Sequence, residues 1–97
     1  MPKGYIIAHV TVRDAEAYKE YVVKDTPIFD KHQGVFLVRG GESQLVEGEA
    51  HERHVVIEFP SYAAAQAAYN DPEYQEVMKI RQRTADSTFI LVEGHQV

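Results

Sequence analysis

Three ionisable residues of this chain have side chains suited to acid–base chemistry on a small molecule: His9, Arg39 and Glu58. A guanidinium can hold a carboxylate or an enolate, and an imidazole or a carboxylate can move a proton near neutral pH. As candidate catalytic residues, His9 would be the base, Arg39 the anion anchor and Glu58 the orienting acid. The alternative is structural, with Arg39 and Glu58 as a buried ion pair and His9 packed against a neighbour.

A second group of side chains could line a binding pocket. It comprises Tyr5, His54, Tyr69, Tyr74 and Arg81. Tyr74 and Arg81 are seven residues apart, so that on a helix they share one face and could close a pocket mouth or bind an anion. In the structural alternative, the tyrosines pack at the edge of a dimer and Arg81 pairs with an acid such as Glu58 or Asp86.

The segment His51-Glu52-Arg53-His54 raises the question of a metal site. Residues three apart on a strand point to opposite faces, so His51 and His54 are not expected to hold one ion. We expect His51 to be exposed near a turn. The sequence contains no phosphate-binding loop, no dinucleotide-binding glycine motif, no nucleophile elbow and no haem-ligand motif. We therefore predict neither a metal nor a cofactor.

Composition excludes several classes of function. A chain of 97 residues is expected to form one domain, over residues 1–97. Its net charge of −5 has the wrong sign for general nucleic-acid binding, and the absence of cysteine excludes disulfides and thiolate sites. The longest apolar runs, 35–38 and 89–92, are too short to cross a membrane. The N-terminus leads into a strand rather than a signal peptide, so we expect a soluble cytoplasmic protein with no nucleic-acid or membrane partner.

The spacing of apolar and β-branched residues predicts the elements that position these side chains. Asp14, Ser61 and Asp71 are suited to cap the helical segments, and Pro27 predicts a kink or a restart within the first helix. A turn at Gly48 would make a hairpin of the middle strands. The predicted strands are 5–12, 35–39 with an extension at 44–47, 50–59 and 87–93, and the predicted helices are 15–32, 62–69 and 72–84.

This order, βαββαβ, is that of a ferredoxin-like α+β fold, a four-stranded antiparallel sheet with both helices on one face. Because side chains alternate along a strand, each of the first three strands has one purely apolar set that suits the helix-covered face. The opposite, open face then receives the ionisable residues His9, Arg39, His54 and Glu58. Apolar neighbours share that face, which predicts a homodimer formed through the sheet faces. With a two-residue turn in the hairpin, Arg39 would lie opposite Glu58, whereas a bulge at Gly40-Gly41 would shift this pairing by one residue.

Several short motifs, in order along nearly the whole chain, resemble the domain of unknown function 1330 family. They are Gly4-Tyr5, Arg39-Gly40-Gly41, Val56-Ile57-Glu58-Phe59-Pro60-Ser61, Tyr69-Asn70-Asp71-Pro72-Glu73-Tyr74-Gln75, Arg81 and Val92-Glu93-Gly94. The resemblance implies a protomer of the dimeric α+β barrel superfamily, and hence a homodimer with its sheets packed together. Other members of that superfamily include cofactor-free monooxygenases, lactone isomerases and haem enzymes, but a shared fold does not transfer an activity.

These observations predict a homodimeric α+β barrel with a small pocket between the sheet face and the helices. The function that we expect is binding of a small organic molecule, anionic molecules included. The alternative is a cofactor-independent monooxygenase or an isomerase that uses His9, Arg39 and Glu58.

Overall fold

The computed structural model describes residues 2–96. Four strands form one antiparallel sheet in the order β2-β3-β1-β4, which confirms the predicted ferredoxin-like α+β fold. Among these residues no helix is long and apolar enough to cross a membrane. The elements are β1 (Gly4–Val12), α1 (Ala15–Lys31), β2 (Val35–Arg39), β3 (Arg53–Phe59), α2 (Tyr62–Tyr69), α3 (Pro72–Thr84) and β4 (Ala85–Glu93).

The helices begin at the predicted capping residues. The side chains of Asp14, Ser61 and Asp71 accept hydrogen bonds from backbone N–H groups of the first turns of α1, α2 and α3. These bonds satisfy donors that a helix start otherwise leaves without partners. α1 continues through Pro27 as one helix, so the restart predicted there is wrong.

The hydrophobic core lies between the helices and one face of the sheet. Alternation along β1 buries Ile6, Ala8 and Val10, and leaves the residues between them partly exposed. Along β4 the same alternation packs Phe89 and Leu91 against the core. The open face therefore carries Tyr5, Ile7, His9, Thr11, Val35, Val38, His54, Val56, Glu58, Thr88, Ile90 and Val92.

The connection between β2 and β3 differs from the predicted hairpin. Residues 40–52 form an irregular segment outside the strands that is exposed except at His51, and β3 begins at Arg53. β2 also carries a register shift between Phe36 and Val38. A shift of one residue turns every following side chain to the other face of the sheet, so that Arg39 pairs with Val55 and lies on the helix-covered face.

Candidate functional site

Two polar pairs join β1 to β3 on the open face, one near each end of the strand pairing. The Tyr5 hydroxyl donates to Glu58 Oε2 at 2.9 Å, and this bond raises the pKa of Tyr5. The Nδ1 atoms of His9 and His54 are 2.9 Å apart, so one ring donates a hydrogen bond and the other accepts it. Two cross-strand steps separate the pairs, and His9 therefore does not contact Glu58.

His51 differs from its predicted position. It lies in the segment before β3 begins, where strand alternation does not apply, and its Nδ1 is 2.9 Å from Thr11 Oγ1 on the open face. The side chain is half-buried there rather than exposed. Among residues 2–96, no group of three or more histidine, aspartate or glutamate side chains is placed to hold a metal ion.

Arg39 lies inside the protomer, because of the register shift in β2. Its Nη2 donates to Asp25 Oδ1 at 3.1 Å, to Thr26 Oγ1 at 2.7 Å and to the Val22 carbonyl at 3.1 Å. Its guanidinium carbon also stacks 3.8 Å from the centroid of the Phe36 ring. The predicted pairing of Arg39 with Glu58 is therefore wrong, since Val35 is the residue opposite Glu58. His9, Arg39 and Glu58 do not converge on one point.

The pocket candidates of α2 and α3 lie on the helix side of the sheet. Tyr74 is fully buried, and its hydroxyl is 2.7 Å from that of Tyr21. Tyr69 donates to the sulfur of Met78 at 3.4 Å and packs its ring against Tyr74. The predicted substrate-binding residues are thus divided, because Tyr5 and His54 lie on the open face.

Arg81 is buried without an acidic partner. It is 4% exposed, donates to Ser87 Oγ, and stacks 3.9 Å from the centroid of the Phe89 ring. The predicted ion pair with Glu58 or Asp86 is wrong, because Asp86 contacts Arg13 instead and Glu58 is on the other face. Its Nε, like that of Arg53, is buried and has no hydrogen-bond partner within the described part of the chain.

A cavity lies between α1 and the helix-covered face of the sheet. Its polar lining includes Asp25, Arg39 and Arg53, and its apolar lining comprises Ala8, Val10, Val22, Phe29, Phe36, Val55, Ile57 and Phe89, with the rings of Tyr18 and Tyr21. Arg81 does not line this cavity, but its guanidinium carbon is 3.9 Å from the centroid of the Phe89 ring and 5.7 Å from that of the Tyr21 ring, and both rings do line it. We call this space the arginine cavity.

Electrostatics in the arginine cavity are dominated by burial. The Asp25 side chain is 8% exposed, and burial raises the pKa of its carboxyl to about 6, although the guanidinium of Arg39 acts in the opposite direction. Burial also raises the pKa values of Tyr18, Tyr21 and Tyr74, which keeps these phenols protonated. Two guanidinium groups, those of Arg39 and Arg53, thus line the cavity together with one carboxylate, which leaves it with excess positive charge.

Asp25 and Arg53 were not predicted as site residues, although the sequence pattern around each of them indicates a buried position. Arg53 alternates with Val55 and Ile57, so strand periodicity already assigns it to the helix-covered face. Asp25 occupies the same helical stripe as Tyr18, Tyr21 and Phe29, where an acid among core positions is unexpected. A charged residue at a position that the periodicity assigns to the core indicates an interior site.

The chain matches a known protein family over nearly its whole length. The model of DUF1330, described as a domain of unknown function, matches residues 3–95. The chain belongs to the DUF1330 family. No protein of curated function matches it.

Solved structures similar to this DUF1330 chain share its fold. RPA0582, a protein of unknown function from Rhodopseudomonas palustris, is 26% identical over 99% of this chain and 85% of its own, with a TM-score of 0.78. SnoaB, a cofactor-independent oxygenase from Streptomyces nogalater, is 13% identical over 100% and 97%, with a TM-score of 0.66. A dimeric ferredoxin-like protein of unknown function from Thermobifida fusca is 12% identical over 95% and 91%, with a TM-score of 0.57.

Proposed function

We propose that this DUF1330 protein binds a small organic anion in the arginine cavity and that it does so as a homodimer joined through the open faces of two sheets. The observation that carries the ligand proposal is the buried Nε of Arg53, a residue that lines the arginine cavity, which has no hydrogen-bond partner within residues 2–96. A buried charged donor without a partner is costly, and a carboxylate is the group that a guanidinium fork binds best.

The charge balance supports an anion rather than a neutral molecule. Arg39 and Arg53 line the arginine cavity with two positive charges, whereas Asp25 is the one carboxylate among its described lining residues. Arg39 already donates to Asp25, but the Nε of Arg53 is free of described partners. An incoming carboxylate would therefore meet Arg53 first and reduce the excess charge of the region.

The size of the arginine cavity restricts the ligand. About 20 Å³ is available to the centres of water-sized molecules, which is room for about one water before side chains move. The Arg39 side chain is 30% exposed, so that this end of the arginine cavity reaches solvent. Acids with a few heavy atoms need the least rearrangement, and larger ones require the Phe36 or Phe89 ring to rotate.

A thermal-shift screen with small carboxylates, phenols and lactones tests the ligand proposal, because a ligand of the native state raises the melting temperature. We expect carboxylates to raise it in the wild type and not in Arg53→Met, which keeps the aliphatic stem and removes the guanidinium. Arg83→Met, at an exposed arginine of α3, is the matched control and should keep the response. An equal response in Arg53→Met and the wild type would refute the proposed site.

The homodimer proposal is supported by the apolar part of the open face. Val35 is 56% exposed, Val38 44%, Ile90 45% and Val92 38% in the single chain. An apolar surface of this kind, together with half-buried His9 and its neighbours, is typical of a surface that a partner covers. The dimeric protein from Thermobifida fusca shows that a chain of this fold can associate.

Sedimentation of the wild type and of Ile90→Glu tests this proposal. The wild type is expected to sediment as a dimer and Ile90→Glu as a folded monomer, because the new carboxylate would be buried without a partner. Val23→Glu is the matched control, since Val23 is 72% exposed on α1, away from the sheet. A monomeric wild type at micromolar concentration would refute the homodimer.

Catalysis is the second candidate, and Asp25 is the observation that favours it. A buried carboxyl with a pKa of about 6 can take a proton from a ligand at neutral pH. A cofactor-independent monooxygenase or an isomerase would need such a base beside an anion anchor. In such an enzyme Arg39 would be the anion anchor. His9 and Glu58 would act only on a ligand bound at the open face. Oxygen uptake or isomerisation that is lost in Asp25→Asn would support it.

A further inference from the structure

We propose that His9 and His54 make association through the open face depend on pH, so that the neutral pair favours the dimer and protonation of both rings favours the monomer. This inference rests on the proposed homodimer and adds a regulatory property to it. The observation that carries it is the 2.9 Å contact between the two Nδ1 atoms, which is a hydrogen bond only while one of these atoms lacks a proton.

The histidine pair lies beside the apolar part of the open face. The next cross-strand pair on the same face of β1 and β3 is formed by Ile7 and Val56, and Ile90 of β4 lies opposite Ile7. The rings of His9 and His54 are half-buried already in the single chain. A second copy that covers Ile7 and Ile90 would therefore cover the histidine pair as well, and any charge on the pair would be taken into the interface.

The number of protons on the pair decides whether the two rings attract or repel each other. A neutral imidazole has one N–H group and one nitrogen lone pair, so one ring can donate from Nδ1 to the Nδ1 of the other. A first added proton can go to the free Nε2 of the donor ring and leave this bond in place. A second proton puts hydrogen on both Nδ1 atoms, so the bond is lost and two positive rings remain with centroids 5.1 Å apart.

The surroundings of the histidine pair provide no carboxylate in contact with either ring. β4 contributes the uncharged Thr88 opposite His9, and the one histidine that contacts a carboxylate among residues 2–96 is His32, at Asp71. A covered face would thus bury the positive rings without an acid of the same chain against them, which is costly, whereas water solvates them in the monomer. The titratable groups that line the adjoining grooves or share the open face with the pair are Glu49, His51, Glu52, Tyr5 and Glu58.

The monomer therefore binds more protons than the dimer, and the dissociation constant of the dimer should rise as pH falls. Imidazoles ordinarily change charge between about pH 5 and pH 8, and each proton that the dimer excludes weakens association by up to about tenfold per pH unit. We expect sedimentation of the wild type to give a dissociation constant at least about tenfold higher at about pH 5 than at about pH 8. Far-UV circular dichroism at both pH values checks that the monomer stays folded.

The double variant His9→Gln/His54→Gln removes both titrating rings and keeps side chains that can donate and accept. Its dissociation constant should change by less than about threefold over the same range, because an amide does not titrate. His32→Gln is the matched control, since this histidine is at the end of α1 and is bonded to Asp71, away from the open face. It should keep the full response of the wild type to pH.

An NMR titration of the histidine rings tests the same coupling in the wild type, without any variant. Because a higher protein concentration favours the dimer, the pH midpoints of His9 and His54 should fall as concentration rises, whereas that of His32 should not move. Midpoints of the pair that are independent of concentration would overturn the inference. A dimer equally tight at both pH values, or a full pH response in the double variant, would also overturn it and leave the homodimer intact. If the wild type is a monomer at about pH 8, the proposed homodimer fails together with this inference.

Discussion

Replacement of Asp25 by asparagine should change how the stability of the protein depends on pH. Burial raises the pKa of this carboxyl from its usual 3.8 to about 6 in the folded protein. The folded state therefore holds the proton more tightly than the unfolded chain, and the free energy of unfolding falls as pH rises from about 4 to about 6. The difference in pKa corresponds to about 3 kcal/mol of stability that the wild type has at low pH and has lost at neutral pH.

Urea unfolding of the wild type and of Asp25→Asn at a series of pH values measures this effect. Between about pH 4 and pH 7, the difference in unfolding free energy should move by about 3 kcal/mol in favour of the variant, since asparagine does not titrate. Protein concentration must be held constant because a dimer couples stability to concentration, and the buffers must contain no carboxylates. Asp30→Asn controls for the loss of an acidic residue from the same helix. A difference between wild type and Asp25→Asn that stays constant over this range would refute the reasoning.

Three further predictions concern stability measured by the same denaturation assay. Tyr74→Phe should cost about 1–3 kcal/mol, because it leaves the buried Tyr21 hydroxyl without its partner, whereas replacing both tyrosines by phenylalanine should cost less than the single change. Gly4→Ala should cost about 1–3 kcal/mol, because its Cβ would overlap the backbone at the start of α2, while Gly41→Ala meets no atom within 4 Å and should be nearly neutral. Asp71→Ala should cost about 1 kcal/mol through loss of the α3 cap, and Asp71→Asn, which can still cap, should cost less.

The fold was predictable because its signals are local. Apolar alternation along the strands and the caps at Asp14, Ser61 and Asp71 depend on neighbours in sequence, and the structure confirms them. The open face was predictable for the same reason, since His9, His54 and Glu58 follow the alternation of regular strands.

The candidate site was less predictable because it depends on the register shift in β2. The register shift in β2 has no distinct sequence signal before Arg39, and it moves that side chain from the open face to the interior. The partner that receives it, Asp25, is 14 residues away in sequence on another element. Pairings of this kind depend on how α1 packs over β2, which a pattern along one strand does not contain.

The register shift in β2 separates the polar side chains of the open face from those of the arginine cavity. Without the shift, Arg39 would lie opposite His54 on the open face, beside the pair formed by His9 and His54, and Asp25 would lose the guanidinium to which it is hydrogen-bonded. With the shift, His9, His54 and Glu58 on the open face each have a hydrogen-bond partner across the strands, and Arg39 lies inside the protomer. The proposed association through the open face therefore does not have to bury Arg39, and the proposed binding of a ligand inside the protomer does not have to disturb that association. A charge placed at Ile90 should thus affect association alone, and removal of the Arg53 guanidinium should affect ligand binding alone.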